Sequence, residues 1–564
     1  MSGERLRILI LGGYGTFGGR LVRLLADEPR LTLLIAGRSL DKATAFIGAV
    51  DAKATLVPAV MDRSGDSGPL LSTLNLDLLI DASGPFQDAG PDPYRLVKTC
   101  IALGICYLDL ADATTFVAGI SSLDDAAKAN GVFALSGCSS FPALSFAALA
   151  ALKPGFAKIE TVTSGIAPSP KVRMGLNVIK AVSSYAGKPV ALRRDGKPTT
   201  GYGLMDGVHW TIAPPGGIPL KSRRFALADA PDLVLLPRVL PGLKSAFIGA
   251  GTEPQILQRL LGLCGWLVRL KLLPALAPFA SLFHRVSQRL GFGEHRGGMF
   301  VTVTGTAIDG GRLARSWHLI AEGDDGPFIP AMAAEAIVYG WLSSRKPQPG
   351  ARPATGELTL AEFAPLFSRF SIRSGIRDDS PSGETAPLYR RMLAGAWNGL
   401  PPAIAAMHDS AATRTVEGRA TVERGTGLAA RIIAAIIGFP AANPDIPVSV
   451  RFECADGRET WIRTFGKTSF RSVQSAGTGR DTYLLAEDFG PFRVLIALVP
   501  DKGRLRLVIR GWRFLGLPLP LFLAPGGETF EEERDGTFRF HVEISSRLTG
   551  LIVRYTGWLR PQAG

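Results

Sequence analysis

The residues best placed to do chemistry are the glycines near the amino end. Within 8–19, ILILGGYGTFGG, the run Gly13-Tyr14-Gly15-Thr16-Phe17-Gly18 has the spacing G-x-G-x-x-G, and Gly12, Gly15 and Gly18 also fit G-x-x-G-x-x-G. Glycine at these intervals permits a tight turn, lets main-chain N–H groups approach a diphosphate, and lets the next helix pack close to the preceding strand. In a chain with 65 glycines the motif alone is weak, since an ordinary strand-to-helix turn explains it equally well. Its context strengthens it: an aliphatic run, 8–11, precedes it and an amphipathic stretch, 17–27, follows.

Further candidates follow along the same half. A second aliphatic run, 31–36, ends in Gly37-Arg38-Ser39, roughly 20 residues past the loop, where an NAD site usually sets an acidic group on the ribose. Arg38 and Ser39 instead suit a 2′-phosphate, because a guanidinium makes charge-assisted hydrogen bonds to phosphate. The expected cofactor is therefore NADP, with NAD the alternative. Asp62 closes a third run, 54–60, and is placed to cap the next segment or face the adenine. Ser83, Gly84, Pro85 and Phe86 follow a fourth, 76–82, at the sheet edge where doubly wound folds bind ligands.

Hydride chemistry also needs a proton relay. Asp109, ending a fifth strand over 105–108, is the nominated group, with Tyr107 second; a helix cap or loop anchor is the commoner role for such an aspartate. Cys138, after a sixth strand at 132–136, reads as a small buried hydrophobe. The six histidines have no H-x-x-x-H or paired carboxylate spacing, so no metal site is expected.

The elements that must position these residues alternate as strand and helix. Six strands in about 138 residues make two mononucleotide-binding halves, hence an α/β Rossmann fold, a doubly wound parallel sheet over 1–140. From 141 to 376 the texture becomes α+β, with strand-like alternation at 158–166 and 299–308, a strand at 317–321 and a helix at 329–342. The Pro- and Gly-rich loop 343–355 ends that helix. A polar stretch, 371–385, reads as a linker. Beyond it, 388–408 and 428–437 look helical. Seven runs from 448 to 555 look like strands of a curved antiparallel sheet, a third domain over 385–564. The apolar, proline-broken run 514–525 leaves a buried loop and a hydrophobic contact surface both open.

Composition bounds the remainder. A chain of 564 residues, 46% hydrophobic and 20% charged, is globular with several domains. Five cysteines without C-x-x-C spacing argue for a reduced, cytoplasmic setting. The net charge of +14 favours anionic partners, but its dispersal gives no nucleic-acid signature. The apolar stretch 256–283 is broken by Arg259, Arg269, Lys271, Pro274 and Pro278, so it is expected as a buried or interface helix pair, ahead of a membrane-surface helix.

On these residues, roughly the first 370 positions resemble the broad saccharopine dehydrogenase family. The likeness rests on the glycine loop, Ala82-Ser83-Gly84-Pro85-Phe86, Cys106-Tyr107-Leu108-Asp109-Leu110, and the helix-loop from Gly326-Pro327 to Pro349-Gly350. The resemblance implies a late helix that returns to the nucleotide domain. The tail is similar to a bacterial domain of unknown function, through Trp397, Gly438-Phe439-Pro440, Trp461-Ile462-Arg463, Phe470-Arg471-Ser472, Gly516-Leu517-Pro518-Leu519-Pro520 and Tyr555-Thr556-Gly557-Trp558-Leu559. No ordered Arg and Lys set matches the amino-dicarboxylate site of saccharopine-forming enzymes. The expected activity is NADP(H)-dependent oxidoreduction of an apolar, lipid-like small molecule. The alternative is a non-catalytic dinucleotide-binding protein whose tail holds a hydrophobic partner. A homodimer through the middle domain and peripheral contact with the inner membrane surface are the further partners expected.

Overall fold

A computed structural model describes residues 5–87, 90–172, 175–273, 276–287, 293–380, 386–410 and 412–561. The chain divides into two compact units, Met1–Val208 with Arg223–Arg373, and His209–Ser222 with Ser374–Gly564.

The first unit begins with strands β1 (Leu6–Leu11), β2 (Leu31–Gly37), β3 (Thr55–Val60), β4 (Leu78–Asp81), β5 (Cys106–Asp109) and β6 (Phe133–Ser136). They lie parallel in the order β6-β5-β4-β1-β2-β3, the doubly wound arrangement expected. Ile8, Leu9 and Ile10 are fully buried, because crossover helices cover both faces of a parallel sheet. Each such side chain contributes roughly 1.5–3 kcal/mol on burial. A seventh strand, Gly350–Pro353, pairs with β6. The expectation of a loop over 343–355 is corrected here; four residues rich in Gly and Pro suit only an edge position, which is where this strand lies. The preceding helix, Ile329–Leu342, returns to this sheet as the resemblance implied: Trp341 meets Phe133 edge-on at 5.5 Å.

The same unit holds a second sheet. Its central strands run in the order Arg223–Leu227, Ser245–Gly251, Phe156–Ala167, Arg296–Ala307, Arg312–Glu322. Among these five strands Ser245–Gly251 and Phe156–Ala167 are parallel neighbours and the other pairs are antiparallel, which gives the α+β character expected of the middle region.

In the second unit ten strands, from Arg414–Arg424 to Gly550–Pro561, pair antiparallel with their sequence neighbours. The last pairs with the first, so the expected curved sheet closes into an up-and-down barrel without free edges. The expected helix 388–408 is three short pieces, broken ahead of Pro402. The expected linker is also corrected. Ile372–Asp378 is a strand, and buried Arg377 donates to the carbonyls of Ala213 at 2.6 Å and Met392 at 2.9 Å. Residues 381–385 of that stretch lie outside the described residues. The run 514–525 is surface: Leu515, Leu517 and Phe522 are all strongly exposed. No helix among the described residues is long and apolar enough to cross a membrane.

Candidate active site

The carboxyl edge of the parallel sheet assembles most of the predicted residues. Gly12 turns the chain out of β1 with φ +77°, and its N–H donates to Ala36 O at 2.8 Å. Gly18 opens helix α1 (Gly18–Leu25) so close to the turn that a Cβ there would lie 2.2 Å from Gly12 O. Among the described residues no acceptor takes the N–H groups of Tyr14, Thr16, Phe17 or Gly18, and no side chain caps α1. Gly15 N–H is spent inside the turn, on Gly12 O at 2.8 Å. Gly13 sits against β2, where a Cβ would be 2.9 Å from Ile35 Cγ2. Four free amides at an uncapped helix start form a fit cradle for a diphosphate. Across from it is Gly175, the N-cap of helix Leu176–Ser184; a Cβ there would lie 2.6 Å from Thr16 Oγ1.

At the end of β2, Tyr14 lies over Gly37, and its hydroxyl accepts Ser39 N–H at 3.1 Å. Ser39 caps the next helix through Lys42 N–H, so its hydroxyl has a structural task. Arg38 is exposed, with no ion pair or hydrogen bond to the described residues. The Ser64 hydroxyl and N–H hold the exposed Asp62 carboxyl below the usual range, and the Arg38 charge adds a smaller pull in the same direction. Arg38 thus stands beside a carboxylate that competes for it.

The turn after β4 is governed by a residue the sequence reading passed over. Asp81 is fully buried, accepts the hydroxyl of Ser83 at 2.6 Å and its N–H at 2.9 Å, and pairs with Arg63 at 2.8 Å. Arg63 in turn stacks on Phe86 at 4.3 Å. Ser83 therefore fixes the turn, while Phe86, buried against Phe116, belongs to the core beneath it; Gly84 and Pro85 join them through a cis peptide.

Asp109 is the register partner of Asp81 on the next strand. One of its oxygens accepts from Gly137 N–H at 2.8 Å, Ala111 N–H at 3.0 Å and Ser136 Oγ at 3.0 Å. The other is buried without a hydrogen-bond partner. Burial pushes the carboxyl up to about 7 against the pull of those donors. Asp109 and Tyr107 are both 0% exposed: Asp109 ties β5 to the end of β6, Tyr107 packs in the core with its hydroxyl unpaired among the described residues, and neither has surface toward a substrate. Cys138 is likewise fully buried.

A different carboxylate faces outward just beyond. Asp112 is exposed and accepts from Gln87 Nε2 at 3.0 Å. Its surroundings nevertheless restrict water enough to raise its carboxyl, as they do where an accessible group sits in a cleft. Asp229 accepts from Thr114 Oγ1 at 2.6 Å. Tyr185 is pushed up first by burial, then by the charges of Asp112 and Asp229. The second sheet's connections bring Tyr185 and Asp229 to the β5 edge; no sequence spacing joins them.

Comparison with known proteins now bears on this edge. Residues 8–135 match the family model of the saccharopine dehydrogenase NADP binding domain. The amino-terminal domain is of that NADP-binding type. Residues 400–559 match a domain of unknown function, DUF4166. Among solved structures, the chain is similar to apo saccharopine dehydrogenase (L-Glu forming) from Saccharomyces cerevisiae, at 12% identity and a TM-score of 0.47, over 66% of this chain and 100% of that one. A mutant meso-dapdh from Clostridium tetani is similar at 15% identity and a TM-score of 0.30, over 64% of this chain and 97% of the other. Comparison with curated proteins gave no match. The NADP-binding domain and the tail domain expected from sequence are both present, and the chain is a dehydrogenase-type dinucleotide-binding protein.

Proposed function

We propose that this chain is an NADP(H)-dependent oxidoreductase acting on an uncharged, weakly polar or lipid-like molecule. The observation that carries the reading is the set of four unengaged amides at the start of α1, with exposed Arg38, which makes no hydrogen bond to the described residues, at the neighbouring strand end. The amides would hold the diphosphate, and the guanidinium the 2′-phosphate. When bound, the dinucleotide supplies or accepts a hydride. Asp112, whose carboxyl is raised by its surroundings, is the group of this chain able to hold and release a proton beside it, and Tyr185, kept protonated by burial, can only donate a hydrogen bond there. This replaces Asp109 and Tyr107 in that role. The negative charges of Asp229 and of ionised Asp112, which act on one another, also disfavour a dicarboxylate substrate through like-charge repulsion.

Fluorescence titration with NADPH tests the carrying observation: saturable quenching or energy transfer is expected, and its absence at millimolar NADPH removes the oxidoreductase reading. Stopped-flow oxidation of NADPH with a panel of long-chain aldehydes and ketones then separates proton transfer from binding. Asp112→Asn should slow turnover by roughly 100-fold while leaving NADPH affinity within about twofold. Unchanged turnover would return the relay to another residue.

A further inference from the structure

Helix Gln255–Arg269, in the unit that holds the two α/β sheets, has two unlike faces. The inner one packs Leu261, Cys264 and Val268 with Leu204 and Ala226 and buries Gln258. Gly187 meets the helix so closely that a Cβ there would lie 2.2 Å from Gly265 O. On the outer face Ile256, Leu260, Leu263 and Trp266, continued by Leu270 and Leu272, are 50–67% exposed. Their spacing keeps 256, 260, 263, 266 and 270 on one helical stripe. A contiguous apolar stripe of this size marks a contact surface, unlike scattered exposed leucines.

Charge says what covers it. Residues 255–272 contain no acidic side chain, and Arg259, Arg269 and Lys271 are exposed. Beside the stripe opens a cavity of about 620 Å³ whose wall includes Leu263, Trp266, Arg224, Arg259 and Arg269 against a single carboxylate, Asp206. That carboxylate already accepts Tyr202 N–H at 2.9 Å. Arg269 stacks on the Tyr202 ring at 3.8 Å, which fixes its guanidinium, and Arg259 has no ion pair or hydrogen bond among the described residues. A second copy meeting this face would set the same cations against each other. A phosphate-bearing apolar surface satisfies both the stripe and the cavity.

We propose that this helix docks on an anionic phospholipid bilayer, the stripe entering the boundary between headgroups and acyl chains and the arginines of the cavity taking a lipid phosphate. The proposal is independent of the oxidoreductase reading. Co-sedimentation of the full chain with vesicles of phosphatidylglycerol in phosphatidylcholine, compared with phosphatidylcholine alone, tests it. Binding is expected only to the anionic vesicles and is expected to fall steeply with salt. Leu263→Asp, at an exposed position and with an unchanged melting curve, should reduce the bound fraction at least about tenfold. Arg259→Ala combined with Arg269→Ala should weaken binding roughly five- to tenfold and flatten the salt dependence. The proposal is overturned by absence of binding to anionic vesicles at low salt, by equal binding to neutral ones, or by binding that survives Leu263→Asp. Sedimentation velocity showing a dimer that Leu263→Asp abolishes, without vesicle binding, would assign the face to a second copy.

Discussion

The carboxyl edge of the parallel sheet and the interior of the barrel both collect polar groups, and they treat them differently. At the sheet edge Asp81 and Asp109 consume the local donors, yet the amides of 14 and 16–18 and the side chain of Arg38 are left over. Inside the barrel, buried His408 lies 2.7 Å from Glu531 and stacks on Tyr389, with ring centroids 3.8 Å apart. Arg463 pairs with Glu487 at 3.1 Å, and Ser472 donates to the same oxygen at 2.6 Å. The leftover donors of the first region are what a ligand can use. The barrel's charges are turned on each other, as in a scaffold whose specificity comes from internal pairing.

The most severe test of that contrast is Gly18→Ala. The added methyl would collide with Gly12 O in a turn that has no slack, so NADPH affinity should fall roughly 100-fold or beyond detection in the fluorescence titration. Circular dichroism should still report a folded chain. If NADPH binds the variant as tightly as the wild type, the amides are not the phosphate site.

Next comes the barrel. Arg463→Met leaves the Glu487 charge in a largely buried place with the Ser472 hydroxyl but without its cation, and breaking a buried pair in this way costs roughly 3–5 kcal/mol. Urea unfolding of the full chain should show a destabilised transition while NADPH affinity stays unchanged. A loss of NADPH affinity in this variant would mean that the two regions are coupled and the contrast is false.

Asp109 sharpens the comparison through pH. Its folded carboxyl is raised to about 7 by burial, so the folded state holds this proton more tightly than the unfolded chain does. The stabilisation is therefore fully present below pH ~4 and is lost as pH rises toward ~7, on the order of 4 kcal/mol in all. Melting temperatures followed from pH 4 to pH 8, at about half-unit steps, should decline for the wild type and decline less for Asp109→Asn. Equal slopes would show that Asp109 is ionised in the folded protein.

The two regions also differed in how far the sequence could disclose them. The glycine loop and strands β1 to β6 were readable because a parallel sheet buried on both faces demands continuous aliphatic runs, and a phosphate turn demands glycine. Asp109 shows the limit of that reading. A strand-end aspartate looks the same whether it faces a ligand or is taken by Ser136 and Gly137 from the following strand. Asp112, Tyr185 and Asp229 meet only because the second sheet folds back on the first, which no local spacing records. In the barrel, Arg414–Arg424 carries alternating charges on its outer face and reads as polar chain. Its place beside the final strand depends on the closure of the whole meander.

Arg38→Ala should have the smallest effect and probes the finest part of the contrast. Exposed guanidinium and 2′-phosphate interact in water, and Asp62 nearby offsets part of the attraction. NADPH affinity should therefore drop only about tenfold, near 1.4 kcal/mol, with NADH affinity unchanged. Parallel titrations with both dinucleotides read this directly. Asp62→Asn should move the same ratio the other way, raising preference for NADPH by roughly twofold to fivefold, because a competitor for Arg38 is removed. If neither variant changes the ratio of the two affinities, the leftover cation at the end of β2 is solvated surface, and the sheet edge recognises the diphosphate alone.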